Sequence, residues 1–297
     1  MSSKPKLIFF GNERLATAVS TNTPTLRALL AAGYDIAAVV ASQTEGVSRR
    51  SKTLEIAQVA HAYHIPVLMP QNLSHIAGQL RESGAKAAVL VAFGKLVPQE
   101  ILDIFPDGII NIHPSLLPNL RGSTPVETAI LSGLQETGVS LMRLVPEMDA
   151  GPVYAQQRIA LSGTETKPEL AEKLLNEGSR LLLEKLGGIL SGKLEPKVQD
   201  ETEASFTRLL TKRDGHLDFM EPADEIERKI RAFIGFPGSR ATIFDRDVVI
   251  TKVRLAASPN DGKLVVPCLL GFLEIEELVA PSGRTMSGAD FIRGYQK

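Results

Sequence analysis

The sequence predicts an α/β fold, with a Rossmann-like and mostly parallel sheet followed by a smaller domain that is barrel-like (OB-type). The first half alternates short, continuously apolar runs with helical patterns, which is typical of a parallel sheet covered on both faces. Residues 206–297 instead contain short strand-like runs separated by Pro, Gly and Asp-Gly turns, which is typical of a small β-barrel. A length of 297 residues also favours two domains.

The elements of the first half follow from this alternation. Buried strands are expected at 7–10, 36–40, 66–69, 87–91 and 109–112, and alternating strands at 139–145 and 153–160. Helices are expected at 24–32, 54–63, 73–82, 125–131 and 168–190, with a helical turn at 98–104. The first helix has Thr23 at its expected cap, Pro24 in its first turn and Gly33 just beyond its end.

The second half changes character after a polar, turn-rich stretch at 191–205. That stretch has neither helical nor strand periodicity, so it is expected to link a domain at 1–190 to a domain at 206–297. The second domain is expected to contain a helix at 223–233. Its strands are expected at 240–244, 248–253, 264–266 and 272–278.

Composition excludes several classes of protein. Hydrophobic residues make up 43% and charged residues 23%, as in an ordinary globular protein, and no apolar run approaches the ~20 residues that span a bilayer. The single cysteine, Cys268, excludes an internal disulfide and a cysteine-based metal cluster. No signal peptide is recognisable, so a cytoplasmic location is expected. With 33 basic and 34 acidic residues, any contact with RNA must come from a local patch.

Gly11 follows the first strand, where nucleotide-binding proteins place a glycine-rich turn. The surrounding sequence has neither G-x-G-x-x-G nor G-x-x-x-x-G-K-[ST], so neither a dinucleotide site nor a P-loop is supported. A glycine needed for a tight turn is the favoured interpretation.

Asn111 and His113 lie two residues apart at the end of a predicted strand, so their side chains point to the same side. Open α/β sheets bind ligands at the carboxyl ends of their strands. An amide and an imidazole could together stabilise the oxyanion of an acyl transfer, although a purely structural role is equally open. Asp149 lies in a Gly-Pro turn, where an Asx-turn is the alternative to a chemical role.

The combination of Asn-x-His, Ser-Leu-Leu-Pro, Arg-Gly and Asp-x-Gly resembles the folate-dependent formyltransferase superfamily. The resemblance implies that Asn111, His113 and Asp149 transfer a formyl group from 10-formyltetrahydrofolate to an amine, without a metal. The folate co-substrate is expected to contact Ser115, Leu116, Leu117 and Pro118.

Further runs, at 131–139, 210–215 and 286–291, resemble the branch of this superfamily whose acceptor is methionyl-initiator tRNA. The resemblance implies a role in translation initiation, and a monomer is expected. The expected tRNA contacts are Arg49, Arg50, Lys52 and Arg121 in the first domain, with Arg208, Lys212 and Arg213 in the second. The chain lacks two patterns usual in that branch, Gly-Thr-x-x-Phe after the first strand and Pro-Asp-Arg after the second.

Two alternatives remain open at the level of sequence. A sugar-nucleotide or other amine N-formyltransferase would share the trio and the folate donor. A non-catalytic relative would keep the fold as a folate- or RNA-binding module. A purine-pathway formyltransferase would need no second domain, so residues 206–297 argue against it.

Overall fold

A seven-stranded mixed sheet forms the centre of the N-terminal half. The computed structural model describes residues 4–42, 54–259 and 262–296. The strands are β1 (Lys6–Gly11), β2 (Asp35–Val40), β3 (Val67–Leu68), β4 (Ala87–Val91), β5 (Ile109–His113), β6 (Glu136–Arg143) and β7 (Val153–Ala160). Their order is β3-β2-β1-β4-β5-β6-β7. The first five strands pair in parallel, whereas β6 is antiparallel to both of its neighbours, β5 and β7. The predicted, mostly parallel sheet is confirmed.

Helices cover both faces of this sheet. They are α1 (Pro24–Ala31), α2 (Glu55–Ala62), α3 (Ala77–Glu82), α4 (Gln99–Leu102), α5 (Pro125–Leu131) and α6 (Lys167–Leu190), and a 3₁₀ turn at Leu73–Ile76 precedes α3. Leu7 and Phe9 belong to one apolar core, and Ile8 and Phe10 belong to another. Because successive side chains of a strand point to opposite faces, the continuous apolar run of β1 supplies both cores at once.

The N-terminus of α1 corrects one prediction. Thr23 occupies the cap position but adopts a left-handed conformation (φ 49°), and its side chain does not cap the helix. Instead the Glu13 carboxylate accepts the backbone N–H groups of Thr25 (2.7 Å) and Leu26 (2.9 Å). Burial raises the pKa of the Glu13 carboxyl, while these two N–H groups oppose that shift. A carboxylate ten or more residues upstream therefore replaces the local cap.

Gly11 is required by a close approach between two strands. It has a φ of 120°, and a Cβ at this position would lie 1.8 Å from the carbonyl oxygen of Val91 on β4. Gly11→Ala is therefore expected to force β1 and β4 apart and to lower the free energy of unfolding by about 1–3 kcal/mol in a denaturation experiment. Gly78→Ala is the matched control, because nothing lies within 4 Å of its Cβ and alanine favours a helix. Equal stability of the two variants would contradict the argument.

The C-terminal domain is an antiparallel sheet with its own apolar core. Its strands are β8 (Ser239–Ile243), β9 (Arg246–Ala256), β10 (Val265–Pro267), β11 (Phe272–Val279) and β12 (Thr285–Ser287), and its helices are α7 (Ala223–Ala232) and α8 (Gly288–Tyr295). The order is β10-β11-β9-β8, and β12 adds to β11. The β-rich character is as predicted, whereas β12 and α8 were not expected. In the described ranges no helix combines the length and the apolarity that a membrane crossing needs.

Candidate active site

Strand β5 carries the first two candidate residues. Ile110 and Ile112 point into one core, so Asn111 and His113 point to the opposite face of the sheet. Both polar side chains are buried. The amide of Asn111 makes no hydrogen bond within the described part of the chain. Its donor and acceptor are therefore available to a ligand.

One ring nitrogen of His113 is hydrogen-bonded to the backbone, and the other faces a carboxylate. Nε2 lies 3.0 Å from the carbonyl oxygen of Leu120. Because a carbonyl oxygen cannot donate, Nε2 must carry the proton of this hydrogen bond. Nδ1 lies 3.7 Å from Oδ1 of Asp149. Nδ1 is thus the ring atom that faces Asp149 and the site.

Asp149 is held by contacts outside its own turn. Its backbone has a φ of 50°, and Oδ2 accepts the N–H of Gly122 at 2.8 Å. Gly122 packs closely itself, since a Cβ there would lie 2.8 Å from Oγ1 of Thr207. The carboxylate therefore joins the loop after β5 to the loop before β7.

The predicted folate loop is an ordered turn. Oγ of Ser115 donates to the carbonyl of Asn119 at 2.5 Å, and Oγ of Ser140 donates to the carbonyl of Ser115 at 2.7 Å. Ser115 and Leu117 are buried, and the Leu117–Pro118 peptide is cis. Leu116 and Pro118 are half-buried. The hydroxyl of Ser115 thus shapes the loop, and the two half-buried side chains are the ones exposed to a ligand.

Arg121 does not lie on an open surface, as a tRNA contact would require. Its side chain is 2% exposed and donates to both carboxylate oxygens of Glu201, at 2.7 and 2.9 Å. It also donates twice to Oε1 of Gln199. The expected contact of this guanidinium with tRNA is therefore wrong for this arrangement, because a buried arginine with a bidentate carboxylate partner cannot face a phosphate. The other contacts expected in the first domain, Arg49, Arg50 and Lys52, lie outside the described residues.

The stretch at 191–205, predicted as a linker, lies against the site. Lys197 forms an antiparallel bridge with Val153, and Phe206 forms a parallel bridge with Arg121. Gln199 in this stretch donates to the carbonyl of Asp149 at 2.8 Å. Sequence reasoning missed Gln199 because no periodicity marks it, and its contacts join residues 48 to 78 positions apart.

A cleft of about 600 Å³ was also missed. It is lined by segments 71–73 and 95–99, which follow β3 and β4, and by Pro146, three residues before Asp149. The position of these segments after parallel strands was the available signal, because ligands bind at that edge of open sheets. Its volume lies in the range of small-molecule sites.

Comparison with known proteins identifies relatives of the whole chain. Residues 13–186 match the family described as formyl transferase, and residues 209–296 match the formyl transferase C-terminal domain. The methionyl-tRNA formyltransferase of Dehalococcoides mccartyi (strain CBDB1) is 37% identical over 307 residues, which is 98% of this chain and 96% of that protein. The methionyl-tRNA formyltransferase of Thermus thermophilus is 38% identical over 264 residues, which is 84% of this chain and 85% of that protein.

Solved structures share the fold at low identity. The N-formyltransferase from Helicobacter canadensis, in complex with folinic acid and dTDP-3-aminofucose, is 22% identical with a TM-score of 0.68 and covers 91% of this chain and 98% of its own. HypX from Aquifex aeolicus in complex with tetrahydrofolic acid is 16% identical with a TM-score of 0.69 and covers 100% of this chain and 48% of its own. At these identities the likeness shows the fold alone.

Proposed function

This chain belongs to the methionyl-tRNA formyltransferase family, and we propose that it transfers the formyl group of 10-formyltetrahydrofolate to the free amino group of methionyl-initiator tRNA. The observation that carries the proposal is the 3.7 Å approach of Asp149 to the ring of His113, beside Asn111 on the same strand face. These groups form one cluster, although Asp149 is 36 residues from His113 in the chain. We further propose that the protein acts as a cytoplasmic monomer.

The proposed chemistry assigns one task to each side chain. A free α-amine has a pKa of about 7.7–8.0, so near neutral pH much of it must lose a proton before it can attack. The ammonium form first loses that proton to solvent, and Asp149 then accepts a second proton, which the nitrogen loses as it bonds to the formyl carbon. Asn111 and His113 donate to the oxyanion of the tetrahedral intermediate. Collapse of the intermediate breaks the bond to the folate nitrogen, which takes up the proton that Asp149 accepted.

The folate co-substrate fits the edge of the sheet that carries this cluster. The cleft beside Pro146 is large enough for a bicyclic ring and its linker. Leu116 and Pro118, the two half-buried residues of the Ser-Leu-Leu-Pro loop after β5, offer apolar contacts to the co-substrate. We propose that the cleft and this loop together bind the co-substrate.

A formylation assay tests the proposed function. Purified protein with 10-formyltetrahydrofolate is expected to formylate charged initiator tRNA about 100-fold or more faster, by kcat/KM, than free methionine or a dTDP-amino sugar. Uncharged tRNA is the control, because it lacks the amine. A faster reaction with the amino sugar would favour a sugar N-formyltransferase. Folate binding without turnover of any acceptor would favour the non-catalytic alternative.

The tRNA surface proposed for the second domain begins directly beside the site. The carbonyl of Arg208 accepts a hydrogen bond from the hydroxyl of Thr124 at the start of α5. Lys212 and Arg213 follow, are exposed, and have no ion-pair partner within the described ranges. Their charges are therefore available to phosphates, even though the whole chain has a net charge of −1.

Replacing Lys212 and Arg213 together by alanine is expected to raise the KM for tRNA and to leave kcat unchanged. If each side chain contacts one phosphate, the negative slope of log K against log salt should become shallower by about 1.4–1.8. Binding measured over a salt series checks this. The control variant replaces Lys173 and Lys185 on α6, which removes the same charge elsewhere. A wild-type slope in the first variant would contradict the prediction.

A further inference from the structure

The side-chain amide of Gln199 forms hydrogen bonds to two loops of the site, through both its nitrogen and its oxygen. Nε2 donates to the carbonyl oxygens of Asp149 (2.8 Å) and Gly151 (2.6 Å). Oε1 accepts from Nε (3.1 Å) and Nη2 (2.9 Å) of Arg121. A primary amide has two N–H donors and two acceptor positions, and all four are occupied here. The residue is 8% exposed, so water does not replace these bonds.

The chemistry of the partners fixes the orientation of this amide. Arg121 can only donate, so Oε1 must face it, and the two carbonyl oxygens can only accept, so Nε2 must face them. The amide therefore has one orientation that satisfies every partner. Any substitution that alters one end leaves a buried donor or acceptor without its bond.

One loop that Gln199 contacts carries Asp149, and the other carries the carbonyl group that orients the ring of His113. Its Nε2 bonds the carbonyl of Asp149 itself, whose backbone is held in the left-handed region. Its Oε1 bonds the side chain of Arg121, which follows Leu120, and the Leu120 carbonyl fixes Nε2 of His113. Without Gln199, the Asp149 backbone can relax towards a commoner conformation and move its carboxylate away from the ring.

The segment around Gln199 is itself held on both sides. Lys197 and Val153 exchange two backbone hydrogen bonds of 2.8 Å. The backbone N–H of Arg121 donates to the carbonyl of Ser205, and the N–H of Thr207 donates to the carbonyl of Arg121. The stretch between the two domains thus lies along the site rather than passing it as a free spacer.

We propose that Gln199 is a positioning residue for formyl transfer, which sets the distance between the Asp149 carboxylate and the His113 ring. This inference rests on the proposed function. The interdomain stretch is then part of the active site, because Gln199 lies in this stretch and its side-chain amide holds Asp149. A displacement of about 1 Å at a reacting group can cost about a hundredfold in rate.

Two variants test the proposal. Gln199→Leu removes all four hydrogen bonds at similar volume and is expected to lower kcat by about 10- to 100-fold with little change in the KM for folate. Gln199→Glu keeps the acceptor for Arg121 but sets a carboxylate oxygen against two carbonyl oxygens. It is expected to fold, because its charge pairs with Arg121, and still to lose kcat. Wild-type kcat in folded Gln199→Glu would overturn the proposal.

The decisive measurement repeats Gln199→Leu in an Asp149→Asn background. If Gln199 acts through the Asp149 carboxylate, the substitution should cost less than about twofold there, whereas a merely structural role costs the same factor in both backgrounds. Equal factors would overturn the proposal. Gln157→Leu is the matched control, because that half-buried glutamine contacts Arg158 and Arg180 away from the site. Wild-type turnover of methionyl-tRNA in the same assay tests the proposed function separately, before any variant is compared.

Discussion

Asp149→Asn is expected to lower kcat for formyl transfer by about 10²–10⁴-fold, because asparagine cannot accept the proton of the attacking amine. The substitution preserves shape and leaves an amide oxygen that can accept the N–H of Gly122, as Oδ2 of Asp149 does at 2.8 Å. The loop should therefore stay in place, and the KM values for folate and tRNA should change little. Single-turnover kinetics at saturating concentrations of both substrates measure the effect on the chemical step.

Asp200→Asn is the control for this prediction. Asp200 is exposed in the interdomain stretch, and its carboxylate bonds Thr202 rather than any residue of the cluster. It should retain wild-type turnover. A kcat within about threefold of wild type for Asp149→Asn would show that Asp149 does not act as the base.

Lys167→Met is expected to lower the free energy of unfolding by about 3–5 kcal/mol, because it leaves a buried carboxylate without its cation. The Lys167 ammonium is fully buried 3.7 Å from the Glu127 carboxylate on α5. It also donates to the carbonyls of Thr17 and Phe236, each at 2.9 Å. Burial raises the pKa of the Glu127 carboxyl and lowers the pKa of the Lys167 ammonium. One side chain thus joins the loop after β1, helix α5 and the second domain.

Denaturant unfolding of matched variants checks this prediction. Lys173→Met removes an exposed lysine from the same helix and should change stability by less than about 0.5 kcal/mol. Adding Glu127→Leu to Lys167→Met should recover part of the loss, since the buried charge is then gone. If the double variant is no more stable than Lys167→Met, the unpaired carboxylate is not the cause.

Much of the fold was predictable because it depends on short-range patterns. The helix at 125–131 and the strand at 153–160 have the predicted bounds, since a proline at a helix start and the alternation of a strand act within one element. The alignment of Asn111 with His113 likewise follows from the two-residue repeat of a strand. By contrast, α8 was missed, because it follows the three-residue strand β12 directly and its cap at Ser287 lies within that strand.

The candidate site was predictable in its residue types and not in its contacts. The motif pattern placed Asn111, His113 and Asp149 together by resemblance, and the 3.7 Å contact between the last two agrees with that placement. The same reasoning put Arg121 on a tRNA surface, where the structure instead pairs it with Glu201. An Arg-Gly pair has no local feature that distinguishes a buried arginine from an exposed one.

The alternation of strands and helices in the first half, the division into an α/β and a β-rich half, and the shared face of Asn111 and His113 on β5 were all predictable from sequence patterns. Three further features became visible only in the folded chain: Glu13 caps α1, Gln199 holds the Asp149 loop, and Arg121 is buried. The two groups of features differ in the sequence distance over which their interactions act. Periodicity and turn chemistry act over a few residues, whereas a buried polar group must find a partner wherever packing brings one, here between 12 and 80 residues away.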